Sequence, residues 1–119
     1  MEHSFREAGS AADGVRRLFA ASAAQMVRSK FQSGCPITTV ALETVPSSSA
    51  ITAACRAAFA LWEETLANGL RRSGVEEDRV SNLAMTILAT FEGALVTSRV
   101  SQSVEPLRVG AETVARLLA

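Results

Sequence analysis

The segment that decides the fold is Met85–Val100, MTILATFEGALVTSRV, which repeats apolar residues at helical spacing on two faces. At about 100° per residue, one face forms an ordinary core stripe; its members are Val80, Leu83, Ala84, Ile87, Phe91, Ala94 and Leu95. The nearly opposite face carries a second strip of small side chains, namely Ala89, Gly93, Val96 and Val100. A helix that packs on one side and faces solvent on the other needs only one apolar strip. This helix is therefore expected to have a neighbour on each side, and in so short a chain the second neighbour can be another copy.

Bulk composition narrows the class of protein. The chain has 119 residues, of which 48% are hydrophobic and 5% aromatic, as is typical of one domain built from packed helices. Twelve basic and twelve acidic residues cancel, so we expect no charged surface for nucleic acid or an anionic membrane. No run reaches the ~20 apolar residues of a membrane span, and the N-terminus lacks the apolar core of a secretion signal. We therefore expect a soluble cytoplasmic protein in which Cys35 and Cys55 remain reduced.

Local signals divide the chain into helices. After a flexible or partly helical tail over 1–10, the pattern predicts one domain over 11–119. Its helices are predicted at about 11–32, 37–44, 50–72, 76–102 and 106–118. Pro36 and Pro106 suit first turns, because the N–H that proline lacks would be unpaired there, and Gly74 follows the third helix as a stop signal. Without strand-like alternation of useful length, the prediction is an all-α domain of about five antiparallel helices.

The sequence contains few of the residue types that enzymes use for catalysis. His3 is the single histidine and lies in the predicted tail, so a catalytic triad or a histidine-based metal site would have no rigid scaffold. Cys35 and Cys55 are interpreted as packed, inert thiols, and no glycine-rich phosphate loop is present. We therefore expect no enzyme, no metal and no cofactor.

Several large apolar side chains mark a candidate ligand pocket. Helical spacing allows two interpretations: these residues line a small-molecule site between helices, or they simply fill the core. The set comprises Met26, Phe59, Trp62, Met85, Leu88 and Phe91. Periodicity alone favours a filled core.

Glu92 is a carboxylate in apolar surroundings, between Phe91 and Gly93. Arg99 follows seven positions later, almost on the same side of the helix. Glu92 can belong to a solvent-facing strip with a weak charge relation to Arg99, to the wall of a cavity, or to an ion pair with an arginine across a dimer. Because a partly buried carboxylate needs a partner, Glu92 joins the candidate ligand-binding residues.

Short motifs in a fixed order carry a family resemblance. They are Gly34-Cys35-Pro36-Ile37, Ala41-Leu42-Glu43, the helix with Phe59, Trp62, Leu66, Leu70 and Gly74, then Phe91-Glu92-Gly93-Ala94-Leu95 with Arg99, and Pro106-Leu107. Over roughly residues 11–118 this order resembles the C-terminal domain of tetracycline-repressor (TetR) family regulators, in the LmrA/YxaF-like branch. Each motif is short, so order and spacing carry the resemblance.

The resemblance implies the effector-sensing and dimerisation domain of a transcriptional repressor. Such domains bind a small effector and form homodimers through their last two helices, which here are the predicted 76–102 and 106–118 helices. The dimer interface would then include Ala89, Gly93, Val96, Val100, Gly110, Val114 and Leu117. The expected partners are a second copy of the chain and a small hydrophobic effector.

The DNA-binding part of the family pattern is missing from this sequence. Residues 1–30 contain no recognition helix with a turn and a basic face. The chain as given is therefore expected to reach operator DNA only through a missing N-terminal helix-turn-helix domain, and not by itself. The alternative function is a helical homodimeric adaptor with a filled core and no ligand.

Overall fold

Six α-helices account for most of the chain. The computed structural model describes residues 1–6, 8–45 and 47–118. The helices are α1 (Glu2–Arg6), α2 (Ala11–Arg28), α3 (Pro36–Thr44), α4 (Ser49–Arg72), α5 (Glu77–Ser101) and α6 (Glu105–Leu117). The described ranges contain no strand, and the predicted all-α class is confirmed. All five predicted helices occur, and the short α1 precedes them.

Side-chain caps stabilise the first turns of α2 and α4, and a glycine follows the end of α4. The Ser10 hydroxyl accepts the backbone N–H of Asp13 at 3.1 Å at the start of α2. In the same way the Ser48 hydroxyl accepts a backbone N–H in the first turn of α4. Each cap satisfies a donor that would otherwise have no partner within its helix. After α4, Gly74 adopts φ +90°, a left-handed conformation that suits glycine.

The end of α2 differs from its predicted position. The periodicity predicts a helix to Gln32, but α2 ends at Arg28. Lys30 and Phe31 take φ values of 54° and 61°, and the Phe31 N–H donates to the Met26 carbonyl oxygen at 2.8 Å. The predicted boundary is therefore wrong by four residues, because two successive left-handed residues reverse the chain before the apolar spacing stops.

Helix α5 lies at the centre of the fold and packs against α2, α4 and α6, while α2 also packs along α6. The Phe19 and Phe91 rings meet edge to face, with centroids 5.2 Å apart. The largest fully buried side chains are Phe19, Met26, Leu66, Leu70, Ile87, Leu107, Val15 and Val80. By length and composition α5 could cross a membrane, but its buried face gives it the role of a core helix.

The N-terminal helix is anchored by one aromatic side chain. Phe5 is only 5% exposed and lies against α2 and α4 at two glycines. A Cβ atom placed on Gly14 would lie 2.6 Å from Phe5 Cε1, and one on Gly69 would lie 2.8 Å from Phe5 Cγ. Within residues 1–10, expected to be a flexible or partly helical tail, Glu2–Arg6 form α1 and Phe5 lies against the core.

Candidate functional site

Glu92 stands at the centre of the candidate site, on the half-buried side of α5 that faces α3. The Thr38 hydroxyl on α3 donates to Glu92 Oε2 at 2.7 Å. The other carboxylate oxygen, Oε1, is buried and has no hydrogen-bond partner among the described residues. Within the single chain, the described hydrogen-bond partner of Glu92 is Thr38 and not Arg99. An ion pair with an arginine of a second copy stays a prediction.

A groove opens between α3, α4 and α5, and Glu92 is one of its lining residues. This α3 groove encloses about 580 Å³, within the range of small-molecule sites. Its lining residues are Thr38, Ala41, Leu42, Val45, Phe59, Glu63, Met85, Leu88, Ala89 and Glu92. The lining is mostly apolar, and its two charged side chains, Glu63 and Glu92, are both acidic.

A second groove reaches Glu92 from the side of α2. This α2 groove encloses about 480 Å³. Its lining residues are Met1, Leu18, Ser22, Gln25, Ser33, Gly34, Cys35, Pro36, Trp62, Phe91, Glu92 and Leu95. Trp62 in this groove and Phe59 in the α3 groove meet edge to face, with ring centroids 5.6 Å apart. One aromatic pair on α4 therefore supplies a wall to each groove.

The predicted ligand-binding residues divide between the two grooves and the core. Phe59, Met85, Leu88 and Glu92 line the α3 groove, whereas Trp62, Phe91 and again Glu92 line the α2 groove. Met26 lines neither groove and is a core residue, 1% exposed. Its sulfur lies 3.8 Å from the Ser33 hydroxyl oxygen. Met85 is 59% exposed, whereas the other predicted residues are buried or half-buried. Periodicity could not separate Met26 from these others, since they lie on the inward faces of their helices.

Sequence reasoning missed the contribution of α3 to the site. Thr38, Ala41 and Leu42 form one wall of the α3 groove, yet α3 has no buried residue. The signal in the sequence was weak, because only Ile37, Val40, Ala41 and Leu42 of the nine residues in PITTVALET are hydrophobic.

The predicted interface residues on α5 face outward. Val96 is 41% exposed and Val100 is 81% exposed, and Ala89 and Gly93 are exposed beside them. A Cβ atom on Gly93 would meet nothing within 4 Å. These four residues are named the α5 strip below. Because Ala89 also lines the α3 groove, the strip and the groove share an edge.

The predicted interface residues on α6 are less uniform. Leu117 is half exposed, but Val114 is 3% exposed and belongs to the core of the single chain. A Cβ atom on Gly110 would lie 3.2 Å from Thr90 Cγ2 and 3.3 Å from Phe19 Cε2. Gly110 therefore serves the close approach of helices within the chain, and only Leu117 of these three presents a large apolar surface outward.

The described residues offer little for catalysis or for metal binding. They contain no group of three His, Cys, Asp or Glu residues that could hold a metal ion. Cys55 is buried in α4, and Cys35 is half-buried at the start of α3. The side chains that line the α3 groove are mostly apolar and include the carboxylates of Glu63 and Glu92.

Comparison with known proteins identifies the family. The sequence model for the C-terminal domain of LmrA/YxaF-like transcriptional regulators matches residues 11–113. Two helix-turn-helix-type transcriptional regulators of Mycobacterium tuberculosis, from strains CDC 1551 and H37Rv, are each 30% identical over 88 residues. The match covers 70% of this chain but 45% of each relative, so the chain spans less than half the length of the curated relatives it matches. The chain belongs to the family of LmrA/YxaF-like C-terminal domains of TetR-type transcriptional regulators.

Proposed function

We propose that this chain is the effector-sensing and dimerisation domain of a TetR-like transcriptional repressor. It binds a small apolar ligand in the α3 groove, and it does not bind DNA by itself. The observation that carries the proposal is the α3 groove, whose mostly apolar lining includes a carboxylate with one buried oxygen that has no partner among the described residues. The proposal includes no enzymatic activity. As part of a transcriptional regulator, the chain would act in the cytoplasm.

Ligand binding is tested by blocking the groove. Ala41 is half-buried and lines the groove, so Ala41→Trp fills part of it. Ala57→Trp, at an exposed position of α4 outside both linings, is the matched control. A library of apolar compounds is screened for a raised melting temperature, because a ligand that binds only the folded state adds about 2.7 kcal/mol of stability at 100 times Kd.

The expected result is a set of compounds that stabilise the parent chain and Ala57→Trp but not Ala41→Trp. Equal stabilisation of both variants would place binding elsewhere. If a broad library produced no response in the parent chain, the alternative function, a dimeric adaptor with a filled core, would replace this proposal.

The dimerisation part rests on the α5 strip. In a two-fold dimer the same strip serves both copies, and small residues allow two helices to approach closely. A stable dimer should bury more than ~1,000 Å² around an apolar centre. Light scattering at micromolar concentration should therefore give twice the monomer mass. Gly93→Leu should shift it to the monomer, whereas Ala24→Leu, on the exposed side of α2, should not. A monomeric parent chain would refute this part.

The mechanism of sensing follows from the edge that the groove and the strip share. A ligand against Ala89, Leu88 and Met85 would touch the same stretch of α5 that carries the dimer contact. An effector changes the balance between two arrangements only by its difference in affinity for them. In a longer protein with a DNA-binding domain, such a shift would change the separation of the two DNA-binding heads, and so the affinity for operator DNA.

A further inference from the structure

The chemistry of the ligand is constrained by the buried oxygen of Glu92. The Thr38 hydroxyl satisfies Oε2, while Oε1 lies buried without a partner among the described residues. An unpaired buried acceptor is costly, and more so when it is charged. Oε1 is closed to solvent in this arrangement, so a ligand satisfies it once the Glu92 side chain turns toward the groove. Binding therefore favours molecules that bring an N–H or O–H group beside Glu92.

The charged residues of the α3 groove indicate the charge of the ligand's donor group. Its charged lining residues are Glu63 and Glu92, and its lining includes no Lys or Arg. Arg99 and Glu43 line an adjoining cavity of about 180 Å³ that shares Thr38, Leu42 and Glu92 with the α3 groove. The carboxylates around the groove therefore still outnumber this one cation. Two carboxylates at an apolar groove produce a negative potential, which attracts cations and repels anions.

The other lining residues indicate the size and the apolar character of the rest of the ligand. The lining of the α3 groove also includes the Phe59 ring and the aliphatic side chains of Leu42 and Leu88. About 580 Å³ accommodates a molecule with one or two rings. Apolar contact with these side chains supplies most of the binding free energy, while the carboxylate fixes the orientation.

We propose that the effector class is an organic cation, an aromatic or aliphatic amine whose ammonium group donates to the Glu92 carboxylate while its apolar body lies in the α3 groove. This inference rests on the proposed sensing function and adds the charge and donor requirement to it. Charge-assisted hydrogen bonds are about twice as strong as neutral ones. The ammonium compound should therefore bind about tenfold or more tightly than a neutral compound of the same shape.

The test uses matched compounds on three apolar frames: phenyl, naphthyl and biphenyl. Each frame carries an aminoethyl, a hydroxyethyl, a propyl or a carboxymethyl group, which supplies a cation, a neutral donor, no donor or an anion. Binding is measured by calorimetry on the parent chain and on Glu92→Gln, which keeps the shape and an acceptor for Thr38. Glu64→Gln, at an exposed position of α4 outside both groove linings, is the control.

On at least one frame, the expected order of affinity is cation first, neutral donor next, and anion last. Glu92→Gln should weaken the cation about tenfold while changing the affinity for the propyl compound less than threefold, and Glu64→Gln should change neither. A neutral donor or an anion that binds as tightly as the cation overturns the proposal. So does a cation preference that survives in Glu92→Gln.

The experiment distinguishes a wrong ligand class from a wrong sensing function. If propyl compounds bind without a cation preference, the ligand class is wrong and the sensing function stands. If no compound of any frame binds, the ligand class and the proposed groove function both fail.

Discussion

Replacing Gly14 by alanine should destabilise the domain, although the same change stabilises most helices. Alanine in a helix interior is favoured over glycine by about 1 kcal/mol. At Gly14, however, the new Cβ atom would lie 2.6 Å from Phe5 Cε1, and overpacking of this kind costs about 1–3 kcal/mol. The Phe5 ring also lies close to Gly69, which limits its freedom to move aside, so we take the upper end of that range. The net loss is about 2 kcal/mol, or about 8 °C in melting temperature at about 4 °C per kcal/mol.

A double-mutant cycle isolates the contact. Phe5→Ala alone should cost about 3 kcal/mol or more as a large-to-small core substitution. In that background the methyl group on Gly14→Ala meets no ring, so it should stabilise by about 1 kcal/mol. The sign of the Gly14→Ala effect therefore reverses, and the coupling energy between the two positions is about 3 kcal/mol.

Urea denaturation followed by circular dichroism, at one fixed protein concentration, measures all four variants. Ala24→Gly, at an exposed interior position of the same helix α2, calibrates the propensity effect and should cost about 1 kcal/mol. A Gly14→Ala variant that is more stable than the parent chain would refute the reasoning. It would mean that Phe5 is not held against α2, and that residues 1–10 behave as a loose tail.

Three further outcomes follow from local contacts. Ser10→Ala removes the cap of α2 and should cost about 1 kcal/mol in the same denaturation assay, whereas Ser10→Asp should retain most of the stability. Ser98→Ala removes a fully buried hydroxyl that has no described partner, so the midpoint urea concentration should stay equal or rise. The Arg71 guanidinium donates to the Glu77 carboxylate and lowers the pKa of Glu77 below its ordinary 4.5. The pair therefore stabilises the fold fully above the ordinary pKa of 4.5, and this stabilisation is lost as pH falls through the lowered pKa of Glu77. Glu77→Gln should remove this small, salt-sensitive part of the acid dependence, and an unchanged profile would contradict it.

The positions of the helices were predictable from the sequence because their signals are local. Ser10 and Ser48 act on backbone N–H groups three residues away, Pro36 and Pro106 fix the first turns of α3 and α6, and Gly74 follows the end of α4. The 3.6-residue period also identified the inward face of α5. The end of α2 was the exception, because non-glycine residues in left-handed conformations have no comparable signal in the sequence.

The candidate site was only half predictable. The pattern shows that Phe59, Leu88 and Met26 lie on the inward faces of their helices, and it stops there. Whether an inward side chain fills the core, as Met26 does, or faces a groove, as Phe59 does, depends on how far apart the helices lie. That distance is set by the bulk of every side chain between them, which no local pattern contains.

The sequence by itself determined where most helices begin and end, with the end of α2 as the exception, which faces are apolar, and which family the domain resembles. Only the tertiary structure brought Thr38 to Glu92 across 54 positions of the chain, and only it placed Phe5 against Gly14 and Gly69. The physical reason is the range of the interactions. Caps, prolines and helical periodicity act within a few residues, whereas a groove or a ring between two glycines exists only after distant helices have packed.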